Sequence, residues 1–146
     1  MRWERIKEII VRYPMVDLFL LCVDRDGIMT RRNRLDSIEN NALELLPDRK
    51  SLIAENAWQE IEVWVLAGHD LPSSWEWKTI REDLNPKEDY FVPFSKRRRL
   101  LDTPGEGRRI LAREAAKNYN RIRRLCPEVG HLDNAIRDFL EQRASI

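Results

Sequence analysis

Val16-Asp17-Leu18-Phe19-Leu20-Leu21-Cys22-Val23-Asp24-Arg25-Asp26-Gly27 is the stretch on which the fold turns. Val16 to Val23 is short, nearly all apolar and bounded by Pro14 and Gly27, the pattern of a central strand buried on both faces. Upstream, Trp3, Ile6, Ile10 and Tyr13 recur at helical spacing, so residues 2–13 read as an amphipathic helix stopped by Pro14. Downstream, Leu35, Ile38, Ala42 and Leu46 mark a second helix that ends at Pro47, and Ser51 to Ala54 reads as a second short strand. Asn56 and Gln59 stand at capping-box spacing before a helix carrying Trp58, Ile61, Trp64 and Val65, with Gly68 at its end. The alternation α-β-α-β-α predicts an α/β fold, a small, mainly parallel sheet covered by helices.

Beyond Gly68 the pattern loosens. Residues 71–102 read as an irregular connection broken by Pro72, Pro86 and Pro93, with one helix around Trp75 to Asp83. Thr103-Pro104-Gly105-Glu106 then offers threonine at the N-cap, proline at N1 and glutamate at N3. The helix it predicts places Leu111, Ala115, Tyr119, Ile122 and Cys126 on one face. Pro127 and Gly130 are expected to break it before a last helix through Leu132, Ala135, Ile136, Phe139 and Leu140. The expectation is one domain over 1–146, with an α/β half at 1–70 and basic helices at 103–146.

Composition supports a folded chain. Of 146 residues, 42% are hydrophobic and 35% charged, the latter well above the usual quarter. Cys22 and Cys126 lack any C-x-x-C or Cys/His ligand spacing and read as buried free thiols. No apolar run approaches the ~20 residues of a membrane span, and the acidic, amphipathic start is unlike a signal peptide. The expected location is the cytoplasm, with no membrane partner. The net charge of +1 conceals a segregation. Glu39 to Asp89 holds twelve acids against five bases, and Lys96 to Arg124 holds eleven bases against three acids. Such asymmetry points to contact with nucleic acid.

The chemistry-bearing residues follow this division. Asp24 and Asp26 leave the best strand two positions apart, where open α/β sheets gather their ligands. Carboxylate oxygens suit Mg²⁺ or Mn²⁺, which takes one or two of them and keeps water and phosphate oxygens for the rest. The plainer alternative is a turn in which Gly27 supplies the bend. Glu60 and Glu62 begin the helix after the second strand, about 200° apart around it, so they cannot serve one ion equally. Glu55 at the strand end is a further candidate, although acids in a first turn also simply complement the helix dipole. His69-Asp70 could reach the acids, but a loop histidine is more often merely exposed. On the capped helix, Arg109, Arg113, Lys117, Arg121 and Arg124 form a stripe about 22 Å long at 1.5 Å per residue. It contains no acid, so it suits a polyanion, and Lys96, Arg97, Arg98 and Arg99 offer a second grip. Neither a G-x-S-x-G elbow nor a G-x-x-x-x-G-K-[ST] phosphate loop is present, so acyl transfer and P-loop NTPase chemistry have no support in the sequence.

The ordered pair of motifs, Asp24-x-Asp26 after a strand and Glu60-Ile61-Glu62-Val63-Trp64-Val65-Leu66-Ala67 after the next, resembles Toprim-like proteins. The similarity is to the uncharacterised Toprim-related families near the OLD and RloB nucleases of anti-phage defence, over roughly residues 14–70. It implies Mg²⁺-dependent cleavage or joining of nucleic-acid strands, with metal binding at Asp24 and Asp26 and an acidic role for Glu62 and, less directly, Glu60. Toprim proteins begin with a strand and a Gly-Glu pair, whereas Met1 here starts on the helix that follows. The resemblance therefore implies a shortened form, a partner chain or second copy that supplies the missing element, or a chain that does not catalyse. Two functions are expected. One is a nuclease-like metal site beside an arginine track for DNA or RNA. The other is a non-catalytic binding or regulatory module. Trp75 and Trp77, in the irregular region, are the tryptophans expected at the surface.

Overall fold

The computed structural model describes residues 2–144. β1 (Leu18–Asp24) and β2 (Ser51–Ala57) form a two-stranded parallel sheet, and α2 (Arg31–Leu45) is the crossover between them. The Ser51 N–H donates to the Asp17 carbonyl at 2.9 Å near the start of the pair, and the Arg25 N–H donates to the Ala57 carbonyl at 3.2 Å near its end. Both strands therefore deliver their carboxyl ends to the same place, just before Asp26 and Trp58. The fold class is α/β, as the alternation of patterns predicts.

The chain divides into two compact units that interleave along the sequence. Of the described residues, the first takes those up to Cys22, Met29–Glu55 and those from His131 onward; the second takes Val23–Ile28 and Asn56–Gly130. The first unit buries Ile6 and Ile10 of α1 (Trp3–Arg12), Leu35, Ile38 and Ala42 of α2, and Leu52, Ile53 and Ala54 of β2. Polar ties fix α2 to β2. Arg32 donates to the Ala54 carbonyl at 2.6 Å, while Glu39 accepts the Ala54 N–H at 2.7 Å and pairs with Arg32 at 2.6 Å. β1 departs from its prediction, for Leu20 is 51% exposed and Cys22 is exposed too. Alternate side chains of a strand point to opposite faces, and one face of β1 lies open. The fully buried strand is β2, from Leu52 on.

The second unit is helical, with α3 (Glu62–Ala67), α4 (Trp77–Glu82), a π-turn at Lys87–Phe91 leading into α5 (Val92–Arg97), a 3₁₀ turn at Pro104–Gly107, α6 (Arg108–Ala116) and α7 (Tyr119–Leu125). α8 (Pro127–Ala144) begins here and continues into the first unit. α3 divides its apolar residues between two clusters. Val63 and Ala67 join Ala115, Ile122, Cys126 and Val129, whereas Leu66 joins Ile80, Phe91, Phe94 and Leu111.

Several sequence expectations are corrected here. Glu55, Asn56 and Ala57 extend β2, so Asn56 caps no helix and α3 begins only at Glu62. Residues 71–102 hold two helices and the π-turn, with Pro93 tolerated in the first turn of α5, where a missing N–H costs nothing. Thr103-Pro104-Gly105-Glu106 makes no capping box. Gly105, Glu106 and Gly107 all have positive φ, and the Thr103 hydroxyl donates back to the Leu100 carbonyl at 2.6 Å. Gly130 does not break α8, which starts with Pro127 at its first position.

The predicted long basic helix is also two helices. Gly68 is the reason. A Cβ there would lie 2.5 Å from the Ala115 Cβ and 2.6 Å from its Cα, so α3 and α6 meet backbone to backbone. The Asn118 side chain then donates to the Gly68 carbonyl at 2.8 Å, which fixes the break at Lys117–Asn118. Gly68→Ala is expected to cost about 1–3 kcal/mol through overpacking. In urea the midpoint should fall with an unchanged slope; an unchanged midpoint would mean the helices can separate freely.

Candidate functional site

The turn after β1 is built by its neighbours in the second unit. The Ile28 N–H donates to the Arg25 carbonyl at 3.0 Å, closing a four-residue turn whose central residues, Asp26 and Gly27, have φ of 51° and 67°. Two successive left-handed residues favour Asp-Gly, which explains this dipeptide locally. Gln59 is the residue that sequence reasoning missed. Its carbonyl accepts the Asp26 N–H at 3.0 Å, and its side-chain oxygen accepts the Gly27 N–H at 2.9 Å. Gln59 is buried and itself left-handed, at φ 69°. Asp24 reaches across to α3, where one carboxylate oxygen accepts the Ile61 N–H at 2.8 Å. Asp24 is half-buried, Asp26 is exposed, and Arg25 between them is buried with its guanidinium 3.7 Å from the centre of the Trp58 ring.

The predicted acids are thus gathered at the strand ends, but unequally. Glu60 accepts the Lys87 N–H at 2.7 Å, at the start of the π-turn. Burial first, then the negative charges of Glu62, Glu88 and Asp24, hold its carboxyl above the ordinary range against the lowering effect of that hydrogen bond. Glu62 is buried and tied to Arg108 at 2.7 Å, so its charge is already balanced. Glu55 belongs to the first unit, buried 3.6 Å from Arg32. His69 is buried, not an exposed loop residue. Its Nε2–H donates to the Leu111 carbonyl at 2.9 Å and its ring tilts against Phe94 at 5.1 Å, so it serves the α3–α6 packing.

Among the described residues, no three Asp, Glu, His or Cys side chains converge as a metal cluster. A hard cation that keeps most of its waters needs only one or two carboxylates. Asp24 and Asp26, with Glu60 behind them, fit that lower requirement; Glu62 fits it poorly because Arg108 holds it. The acids that raise Glu60 also destabilise its ionised form. An acid with a raised folded pKa lowers stability fully above that pKa, and the penalty disappears as pH falls through it. Glu60→Gln is therefore expected to raise the melting temperature at pH 7, with the gap closing on acidification. A divalent cation should stabilise the parent protein more than the variant. A variant no more stable than the parent at neutral pH would remove the repulsion.

Next to this turn lies a second polar group. Glu128, at the start of α8, accepts from Arg81 at 3.0 Å through both oxygens, from the Trp64 indole at 2.9 Å and from the Trp58 N–H at 3.2 Å. Burial pushes its carboxyl up, but the hydrogen bonds from Arg81 and Trp64 outweigh this and hold it below the ordinary range. Cys126 beside it is pushed up to about 12, chiefly by burial, which leaves an inert thiol.

Of the predicted basic residues, all lie in the second unit. Lys96, Arg97, Arg99, Arg109, Arg113, Lys117 and Arg124 are exposed, and none has an acidic partner among the described residues. Arg98 pairs with Glu114 at 2.9 Å and Arg121 with Asp70 at 2.6 Å. Because the helix breaks, the single straight stripe is not present. Arg109, Arg113 and Lys117 continue along α6 over about 12 Å, and Arg121 and Arg124 resume on α7.

No family model, curated protein or solved structure matches the chain. No helix among the described residues is long and apolar enough to cross a membrane.

Proposed function

We propose that the chain grips a nucleic-acid backbone through the unpaired cations of α5–α7 and performs Mg²⁺- or Mn²⁺-dependent phosphodiester chemistry at the Asp24–Asp26 turn. The observation that carries this is Glu60. It lies near Asp24 at the end of a parallel strand pair, with Glu62 and Glu88 beside it already paired with Arg108 and Lys87, so the charges left for a cation to relieve are those of Glu60 and Asp24. Asp24 and Asp26 are the residues to hold the metal. A bound divalent ion supplies polarisation of a phosphoryl oxygen and a more acidic water. Gln59 and the Ile61 N–H keep the turn in place, and Glu60, whose carboxyl is held above the ordinary range by burial and neighbouring acids, is the group placed to exchange a proton. Lys96, Arg97, Arg99, Arg109, Arg113, Lys117 and Arg124 neutralise phosphates. Arg98 and Arg121 contribute less while paired with Glu114 and Asp70. The Toprim-like resemblance supports the same reaction class, with a cytoplasmic, anti-phage setting and a second chain as further parts of that reading.

Labelled DNA and RNA, single- and double-stranded, incubated with Mg²⁺, Mn²⁺ or chelator, test it. Metal-dependent cleavage abolished by Asp24→Ala and by Asp26→Ala is expected. Cleavage that survives both substitutions would sink the metal role. The second reading, a non-catalytic nucleic-acid-binding module, is favoured by the Glu62–Arg108 pair at 2.7 Å, which withdraws one acid from the site. It predicts metal-independent binding and no cleavage with any divalent ion.

A further inference from the structure

Two clefts in the second unit share Trp77, Arg124 and Leu125 as a common wall. The first, of about 400 Å³, sets Trp58 and Trp77 against Lys78, Arg81 and Arg124. The second, of about 470 Å³, sets Trp75 and Trp77 against Arg121 and Arg124. The indoles are held in place before any ligand arrives. Trp77 donates to the Leu125 carbonyl at 3.3 Å, and Trp75 packs edge-on to Tyr90 at 5.1 Å. At Trp58 the backbone N–H donates to Glu128, and the ring itself has the Arg25 guanidinium 3.7 Å and that of Arg81 5.5 Å from its centre. Trp58 nonetheless remains 37% exposed.

The charges in these clefts are of two kinds. Arg81 is spent on Glu128 and Arg121 on Asp70. Lys78 and Arg124 are exposed and have no acidic partner among the described residues, with Glu82 the only acid lining either cleft. The clefts thus combine indole rings with cations that have no acidic partner among the described residues. A single nucleic-acid strand offers the complement of both, a base and a phosphate in every unit, and base–indole stacking with backbone neutralisation is how such strands are held without sequence preference. In a duplex the base faces are already stacked on one another, so the indoles would have nothing to receive.

We propose that these adjoining clefts take the unpaired bases of a single-stranded nucleic acid, stacked on Trp58, Trp77 and Trp75, with phosphates at Lys78 and Arg124. The inference rests on the nucleic-acid reading above and narrows its substrate class. Trp58 also joins the clefts to the acidic turn, since Gln59 and Glu60 follow it directly and Arg25 packs against its ring.

The test begins with the unaltered protein. A short oligothymidylate or oligouridylate should bind and quench the intrinsic tryptophan fluorescence, and a blunt duplex of equal length should bind without quenching. Trp58→Leu and Lys78→Glu should each weaken single-strand binding about tenfold or more, leave duplex binding within about twofold, and Trp58→Phe should restore most of the loss. Because Trp77 also packs on the core, the quench on the unaltered protein stands whether or not a Trp77 variant folds. Single-strand binding without quenching, or with an affinity indifferent to Trp58→Leu in a normally folded protein, would overturn the clefts while leaving the nucleic-acid reading intact. Failure of the unaltered protein to bind either strand form at low salt would overturn both.

Discussion

Glu128→Ala is expected to cost about 3–5 kcal/mol of stability, the penalty for leaving a buried charge without its partner. Glu128 and Arg81 keep only 9% and 17% of their side-chain surface exposed, and they meet through both carboxylate oxygens at 3.0 Å. Removing the carboxylate also strands the Trp64 indole N–H and the Trp58 backbone N–H. Urea unfolding measures the loss directly. A loss below about 1 kcal/mol would place the pair among ordinary surface ion pairs.

The same group sets an acid limit. Its folded pKa lies below the ordinary value of 4.5, because the Arg81 and Trp64 hydrogen bonds outweigh burial. An acid with a depressed folded pKa contributes stability that is fully present above the unfolded value and is lost as pH falls through the folded one. The stability difference between the parent protein and Glu128→Ala should therefore hold at neutral pH and shrink below pH 4.5.

The second large effect concerns binding. Arg109→Glu combined with Arg113→Glu should weaken nucleic-acid binding on the order of a hundredfold at ~0.1 M salt and lower the log–log salt slope by about 1.8, for two lost phosphate contacts. Both arginines are exposed and have no acidic partner among the described residues, so reversing them should leave the melting temperature nearly unchanged. Arg98→Ala should matter less, since Arg98 already spends its charge on Glu114 at 2.9 Å. A slope unchanged by the double reversal would take α6 out of the interface.

The turn that opens the site was readable because its causes are local. An apolar run ending in Asp24-Arg25-Asp26-Gly27 specifies a strand and then a left-handed turn by residue type alone. The α/β class was readable for the same reason, in the change of period from helix to strand and back. What escaped depends on distant partners. Glu128 looks like any acid in a first helical turn, yet its ligands Arg81, Trp64 and Trp58 lie 47, 64 and 70 positions away. Gln59 reads as a helix start and instead acts as a brace for Gly27, 32 positions back. The break at Lys117–Asn118 was hidden because the basic and apolar periods continue across it; only the close approach of Gly68 to Ala115 demands it. Trp58 fits a core stripe by spacing and is more exposed than Trp75 or Trp77, because α3 starts only at Glu62 and leaves Trp58 outside the helix.

The central claim is that Asp24 and Asp26 hold a divalent cation at the carboxyl end of β1. Crystals of the protein soaked in Mn²⁺ and measured for anomalous scattering test it most directly. The predicted result is a single strong peak bonded to one or both of these carboxylates and lost in Asp24→Ala. Crystals that show no peak there at millimolar Mn²⁺, from protein that still binds nucleic acid, would contradict it and leave the binding module.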